Sequence, residues 1–200
     1  MSKVGAIRFG AAAAAVAAVV SGCSSSTAGS ATPPAGTSSS SGATSMLASA
    51  VPKALPTDAL VANSCSALSA AQVTKIGLNG GGTFKPDNLG GGCTWKSATS
   101  TLNYISISPL TVNANGLSDI YRNKAKDAYF EPTTIDGYPG VYAGPDDARA
   151  QGTCALWIGV TDQLAVSVLS QIGEGPNKTN PCPVTARVAE AMINHLQGTE

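Results

Sequence analysis

The chain has 200 residues, a length that suits one domain together with further segments. Charged residues make up 12% of it, about half the usual share of a soluble domain, and 12 basic side chains balance 12 acidic ones. Binding to nucleic acid requires a basic surface that displaces counterions. The neutral balance therefore argues against a nucleic-acid partner.

The beginning of the chain has the order of an export signal. Lys3 and Arg8 form a short positive segment, and an uncharged run follows over residues 9–20. As a helix this run rises only about 18 Å, against about 30 Å of bilayer hydrocarbon. It is too short to span a membrane, and we interpret residues 1–22 as a signal peptide.

A cysteine follows the signal directly. Val20-Ser21-Gly22-Cys23 resembles the bacterial lipobox, the recognition site for lipoprotein processing. The resemblance implies that the Cys23 sulfur receives a diacylglyceryl group and that Cys23 becomes the new N-terminus, since a thiolate is the nucleophile. The alternative is a secretory signal with an accidental cysteine. We expect acyl chains of the palmitate type to anchor the chain outside the cytoplasm, on the outer face of the cell membrane.

A long stretch of small residues comes next. Residues 24–50 are uncharged and consist of Ser, Thr, Ala, Gly and Pro, apart from Met46 and Leu47. Such a segment buries too little apolar area to offset the entropy lost on ordering. We therefore predict a disordered linker over 23–63 and a globular domain over 64–200.

The domain contains four cysteines, Cys65, Cys93, Cys154 and Cys182. An even number in an exported chain predicts two disulfides, for which three pairings exist. We favour Cys65–Cys93 and Cys154–Cys182, since each pair is separated by 28 residues and would tie a helix end to a strand. One histidine and no closely spaced cysteine pair argue against zinc or redox chemistry, so no metal or cofactor is predicted.

A capping box marks the first helix, with Ser69 as N-cap, Gln72 at the third position and Gly77 as the stop. Triple glycines at 80–82 and 90–92 then flank a polar loop. No Gly-Lys-Ser/Thr follows them, and we interpret this loop as flexible rather than as a phosphate cradle.

Two strands are predicted next, over 93–96 and 102–108, joined by a hairpin at 97–101. Apolar residues at helical spacing predict a helix over 117–127.

The second half of the domain is predicted to form four strands and a helix. Asp136-Gly137 predicts a tight hairpin between strands 133–135 and 138–142. Residues 154–160 and 164–168 alternate between apolar and other side chains, as strands with one buried face do. Apolar residues every four positions then predict the last helix: Val184, Val188, Met192 and Leu196. The predicted fold is α+β, an antiparallel sheet with helices packed mainly on one face, stapled by two disulfides.

Several motifs occur together in this domain: Cys65 before a short helix, Cys93-Thr94-Trp95, Ile135-Asp136-Gly137-Tyr138-Pro139, the strand pair 154–169 and Pro181-Cys182. In this order, with the lipobox and linker, they are similar to the actinobacterial envelope lipoproteins classed as domain of unknown function 3558. The resemblance implies an exported, lipid-anchored domain with no established catalytic residues. It supplies no active site.

Catalytic chemistry has little support. His195 is the single histidine, and we interpret it as a helix-terminal residue rather than a general base. No Gly-x-Ser-x-Gly motif is present. Asp146 and Asp147 are adjacent on a loop without the ligand spacing of a calcium site, and we interpret them as solvated. No catalytic residue is predicted, and we expect no enzyme.

The candidate contacts for a ligand or partner are aromatic: Trp157, Tyr138 and Tyr142. Trp157 falls on the strand face opposite Leu156 and Ile158. If that face is uncovered, Trp157 would anchor a ligand or partner; if it is covered, Trp157 is a core residue, which we favour.

These observations predict a non-catalytic binding or sensing module of the cell envelope, with an envelope protein as partner. One alternative is a carrier or chaperone for an apolar envelope molecule, which requires a hydrophobic cavity between sheet and helices. Another is a hydrolase, which requires two carboxylates converging in a cleft.

Overall fold

The computed structural model describes residues 47–88 and 90–199, which belong to one compact unit. The predicted signal peptide 1–22, the predicted lipidation site Cys23 and most of the predicted linker lie outside the described residues. None of the described helices is long and apolar enough to cross a membrane.

The described residues contain seven strands in one sheet. The strands are β1 Thr83–Lys85, β2 Gly92–Lys96, β3 Asn103–Pro109, β4 Tyr129–Ile135, β5 Tyr138–Gly144, β6 Thr153–Thr161 and β7 Leu164–Ile172. All neighbours pair antiparallel, in the order β1-β2-β3-β7-β6-β5-β4. The α-helices are α1 Asp58–Ala62, α2 Ala70–Ile76, α3 Leu117–Arg122 and α4 Cys182–Gln197. The predicted α+β class with an antiparallel sheet is confirmed.

The position of each helix follows from the connections. Strands that are consecutive in sequence pair with each other, with one exception. Strands β3 and β4 do not pair, because β7, β6 and β5 lie between them in the sheet. The chain between β3 and β4 crosses one face of the sheet, and α3 lies there with Leu117 packed near Val141 and Ala165. The other helices contribute to the larger core on the opposite face, so the helices do pack mainly on one face.

The larger core lies between the central strands and α4. Leu156 and Ile158 of β6 and Val188 and Met192 of α4 are fully buried there. Burying such a side chain contributes about 1.5–3 kcal/mol relative to leaving it exposed. The buried stripe of α4 that the four-residue spacing predicted is confirmed for Val188, Met192 and Leu196, while Val184 is half-buried.

Both predicted disulfides are confirmed. Cys65 in the short 3-10 helix Ser64–Ala67 is bonded to Cys93 of β2, with their Cα atoms 5.0 Å apart. Cys154 of β6 is bonded to Cys182, the first residue of α4, with their Cα atoms 5.2 Å apart. Each bridge therefore ties a helix to the sheet.

The short-range turn signals are also confirmed. The Ser69 hydroxyl accepts a hydrogen bond from the Gln72 amide at 3.2 Å, and the Gln72 side chain accepts one from the Ser69 amide at 3.0 Å. Gly77 ends α2 in the left-handed conformation. Asp136 and Gly137 form the two-residue turn between β4 and β5 with positive φ at both positions.

The predicted helix over 117–127 is too long. The α-helix ends at Arg122, and a 3-10 helix occupies Lys124–Lys126. The Asn123 side chain donates a hydrogen bond to the Asp119 carbonyl at 2.9 Å, in place of its own backbone amide, which donates to the Ile120 carbonyl at 3.0 Å. Asparagine competes in this way with helical hydrogen bonds, which explains the early end.

The loop between the triple glycines is not simply a flexible connection, because β1 lies within it. Gly82 also lies directly against Trp95 and the Cys65–Cys93 disulfide: a Cβ atom there would come 2.3 Å from the Cys93 sulfur and 2.6 Å from the Trp95 ring. Strand β1 has three exposed residues and no apolar alternation, and this is why the sequence pattern missed it.

The fold begins earlier than residue 64, where the sequence placed the domain boundary. The Ala48 amide donates to the Ser118 hydroxyl at 3.3 Å, the Val51 amide to the Asp162 carboxylate at 3.0 Å, and the Leu55 amide to the Val160 carbonyl at 2.9 Å. We call residues 47–63 the strap. The linker prediction extended the small-residue composition of residues 24–50 through this mostly exposed segment, whereas the side chains of two leucines, Leu55 and Leu60, are buried in the domain and hold it there.

The strap provides a test of that boundary. Leu60→Ala should lower the free energy of unfolding by about 2–5 kcal/mol, because Leu60 is fully buried. Val61→Ala is the matched control: its side chain is 41% exposed, and the change should stay within about 0.5 kcal/mol. Urea denaturation of the full chain measures both, and equal small losses would contradict a folded strap.

Candidate functional site

An open groove lies at the end of the sheet where β3 begins and β7 ends. We call it the hairpin groove, because the β2–β3 hairpin forms one of its walls. Its volume is about 590 Å³. Its lining includes five branched aliphatic side chains: Ile76, Leu78, Ile105, Ile172 and Val184.

Hydrogen bonds hold the walls of the groove in place. The Ala98 amide donates to the Gly77 carbonyl at 2.9 Å and joins the hairpin to the end of α2. The Asn103 side chain donates to the Glu174 carbonyl at 3.1 Å and accepts from the Glu174 amide at 3.1 Å. The Ser100 hydroxyl donates to the Glu174 carboxylate. The hairpin and the loop after β7 are thus fixed to each other before any ligand binds.

Helix α4 brings a cation to this groove. Val184, Arg187 and Ala191 lie on one flank of the helix, and the Gln72 side chain of α2 donates to the Ala191 carbonyl at 2.7 Å. Arg187 is exposed and takes part in none of the ion pairs of the described residues. A second groove, of about 710 Å³ between α2 and α4, shares Ile76 and Arg187 with the first. Arg187 therefore lies where the two grooves meet.

The lining of the hairpin groove is mixed, with polar and apolar surface in about equal parts. Ligand sites are typically concave and combine apolar side chains with a few polar groups. Among the described residues, no group of three or more His, Cys, Asp or Glu side chains is placed to hold a metal ion.

The structure does not bring the three aromatic candidates together. Trp157 is half-buried on the α3 side of the sheet, and its indole N–H donates to the Ala143 carbonyl at 3.1 Å. Tyr138 is buried in the larger core on the opposite face. Tyr142 is half-buried and lines a separate cavity beside Glu131, where burial raises the pKa of its hydroxyl. Trp157 therefore lies on a face that α3 covers in part.

A charged cluster that the sequence did not predict lies beside Tyr142. The Arg149 guanidinium donates to the Asp147 carboxylate at 2.7 and 2.8 Å and to Glu131 at 2.9 Å, and lies over the Tyr129 ring at 4.4 Å. The hydrogen bonds of Arg149 hold the pKa of Asp147 below its ordinary value. Two carboxylates, Asp147 and Glu131, therefore do converge here, but they converge on the Arg149 guanidinium. This arrangement keeps Asp147 ionised, whereas a general acid must carry a proton.

The hairpin groove itself was missed by the sequence analysis, although its parts were identified. The hairpin 97–101 and the end of α2 at Gly77 were each predicted separately. Only the long-range pairing of β3 with β7, which sets Asn103 opposite Ile172, brings them together.

The fold defines an α+β domain stapled by two disulfides. The family model for "Protein of unknown function (DUF3558)" matches residues 18–195, and the chain belongs to this family. No curated protein and no solved structure matches the chain.

Proposed function

We propose that this protein is a lipid-anchored, non-catalytic binding module of the cell envelope, and that its binding site is the hairpin groove. The observation that supports the proposal is the groove itself: a concave surface with aliphatic side chains at its floor, whose walls are fixed by the hydrogen bonds of Asn103, Ser100 and Glu174. A preformed site loses less conformational entropy on binding than a mobile one.

The position of the strap favours this assignment. Its first contacts, to Ser118 and Asp162, lie near the turn that precedes β7. The groove lies at the other end of β7, a strand of nine residues, which at about 3.3 Å per residue places it roughly 26 Å away. A chain held at Cys23 would therefore present the groove at the end of the domain remote from its attachment.

Export and anchoring rest on the sequence. The order of positive segment, apolar run, small residues and Cys23 supports lipidation, and the family match includes Cys23. Two disulfides suit an oxidising compartment outside the cytoplasm.

A carrier that encloses an apolar molecule is less well supported. Such a carrier needs a cavity between sheet and helices, where fully buried side chains of β6, β7 and α4 lie. The cavities described above are grooves at the surface. They favour a ligand that stays partly exposed to solvent.

The anchor is tested at Cys23. Cys23→Ala should abolish labelling by an alkyne fatty acid and release the protein from the membrane fraction, because the acylated sulfur is lost. Gel fluorescence after coupling to a dye measures the labelling. Undiminished labelling of the variant would contradict lipidation at this residue.

The groove is tested by filling it. Ala98→Trp places a large ring at the groove rim, and Ala62→Trp places the same ring on the exposed end of α1 as a matched control. The full chain, purified from its native membranes, is analysed by native mass spectrometry. We expect wild type and Ala62→Trp to retain a bound molecule that Ala98→Trp loses. Equal retention by both variants, or no bound molecule in any form, would contradict the proposal.

A further inference from the structure

We infer that the face of the sheet opposite the larger core binds an uncharged polysaccharide. We call this surface of β2, β3, β7 and β6 the hydroxyl face. It is defined by four hydroxyl side chains and two aromatic ones: Thr94, Ser106, Ser108, Ser167, Tyr104 and Trp157. The inference goes beyond the proposed function, because of these six residues Tyr104 alone also lines the hairpin groove.

The burial pattern along the strands shows that the hydroxyl face is open. In β3, the partly exposed Ser106 and Ser108 alternate with Ile105 and Ile107, which are buried on the other face. Strand β7 alternates in the same way from Ser167 to Gln171. Helix α3 covers a different part of this side of the sheet, over β5 and β6. Strands β2, β3 and β7 therefore present their polar side chains to solvent.

The strand register places the hydroxyl groups side by side. Thr94 of β2 lies opposite Ser106 of β3, and their hydroxyls share a hydrogen bond of 2.8 Å. Ser108 of β3 lies opposite Ser167 of β7, and neither hydroxyl is bonded to another of the described residues. Because a hydroxyl has one donor and two acceptor positions, all four groups retain capacity for hydrogen bonds with a ligand.

Two aromatic rings give the hydroxyl face the length of a polymer site. Trp157 of β6 lies opposite Ser167, and the hydrogen bond from its indole N–H to the Ala143 carbonyl fixes the ring. Tyr104 lies on the far side of β7, opposite Gln171, so at ordinary strand spacings roughly 16 Å separates the two aromatic Cα atoms. The electron-rich faces of such rings attract partly positive C–H groups, which sugar rings present. This distance suits a chain of several sugar rings.

The charge of the hydroxyl face selects an uncharged partner. The cations Lys85 and Lys96 lie at its border, whereas the central strands β3 and β7 contain no charged residue. A charged group placed over those strands would lose water without gaining a partner of opposite charge, which costs free energy.

The hydroxyl groups themselves exclude two further classes of partner. An acyl chain would cover them without offering hydrogen bonds, so their desolvation would go uncompensated. Protein interfaces are depleted in serine and enriched in arginine and methionine, the reverse of the composition of this surface. A polysaccharide offers hydroxyls to the hydroxyl face and brings no charge to it.

The test uses an array of immobilised neutral hexasaccharides of the glucan, mannan, galactan and xylan types, with hexamers of uronic acids as the anionic counterpart. We expect the purified full chain to bind at least one neutral type and none of the uronic acid hexamers. Titration with the bound hexasaccharide should also change the emission of Trp157. The change should be missing in Trp157→Phe, since the other tryptophan, Trp95, is buried on the opposite face.

Two kinds of variant locate the site. Leu169→Glu places a carboxylate midway between the two aromatic rings and should weaken binding more than tenfold, whereas Leu102→Glu makes the same change on a side chain that is 57% exposed outside the hydroxyl face and should leave binding unchanged. The double variant Ser108→Ala/Ser167→Ala removes two partly exposed hydroxyls and should weaken binding about tenfold, the combined effect of two neutral hydrogen bonds. Urea denaturation midpoints identify the variants that are folded as wild type is.

Three outcomes would overturn the inference: no binding to any neutral hexasaccharide, equal binding to the uronic acid hexamers, or binding that the serine double variant leaves unchanged. Ala98→Trp, which fills the hairpin groove, should bind the hexasaccharide as wild type does. Failure of the hydroxyl face and failure of the groove are thereby distinguishable.

Discussion

Replacing Cys154 and Cys182 together by alanine is expected to lower the free energy of unfolding by about 3–4 kcal/mol. The bridge closes a loop with a sequence separation of 28, and the loop-closure entropy of an open chain of that length accounts for this amount. In a domain of this size the loss corresponds to a fall in melting temperature of about 10 °C. Thermal and urea denaturation of the full chain measure it, and a loss below about 1 kcal/mol would contradict the entropic account.

The second disulfide is a matched control for the first. Cys65–Cys93 also has a sequence separation of 28, so the same entropy is removed when both of its cysteines become alanine. Any difference between the two double variants must come from packing. The Cys154–Cys182 bridge adjoins the buried hydrogen bond of 2.7 Å between Ser170 and Thr185, whereas Cys93 lies against Gly82 and Trp95.

The features that the sequence predicted well are those that short stretches of chain determine. The capping box of Ser69 and Gln72 satisfies backbone groups within one turn. The Asp136-Gly137 turn needs positive φ at two adjacent positions, which these residues tolerate. The alternation along β6 and β7 places one face of each strand in the core.

The features that were missed depend on distant parts of the chain. Leu55 and Leu60 resemble isolated large residues in a segment of alanines and prolines until the folded domain provides a core for their side chains. The hairpin groove likewise forms only when β3 pairs with β7. The Arg149 cluster needs Glu131 of β4 beside a loop 18 residues later in the sequence. No local sequence pattern specifies these long-range contacts. Any one of the residues involved, seen alone in the sequence, could equally lie on the surface in contact with solvent.

The second large effect concerns Gly152, the residue before β6. Its φ is +96°, and a Cβ atom there would lie 1.9 Å from the Ile172 carbonyl oxygen. The Gly152 carbonyl also accepts a hydrogen bond from the Ile172 amide at 2.8 Å, so the two backbones cannot separate without losing it. Ile172 is part of the groove floor, and Gly152 therefore holds the end of β7 in its place.

We expect Gly152→Ala to lower the free energy of unfolding by about 2–5 kcal/mol. A left-handed conformation costs an alanine about 1–2 kcal/mol, and the backbone clash adds about 1–3 kcal/mol. Gly175→Ala separates these contributions: its φ is +94°, nearly the same, but no atom lies within 4 Å of the added Cβ. It should show only the conformational cost. Urea denaturation of both variants decides the point, and equal losses would mean that the close approach to Ile172 relaxes at no cost.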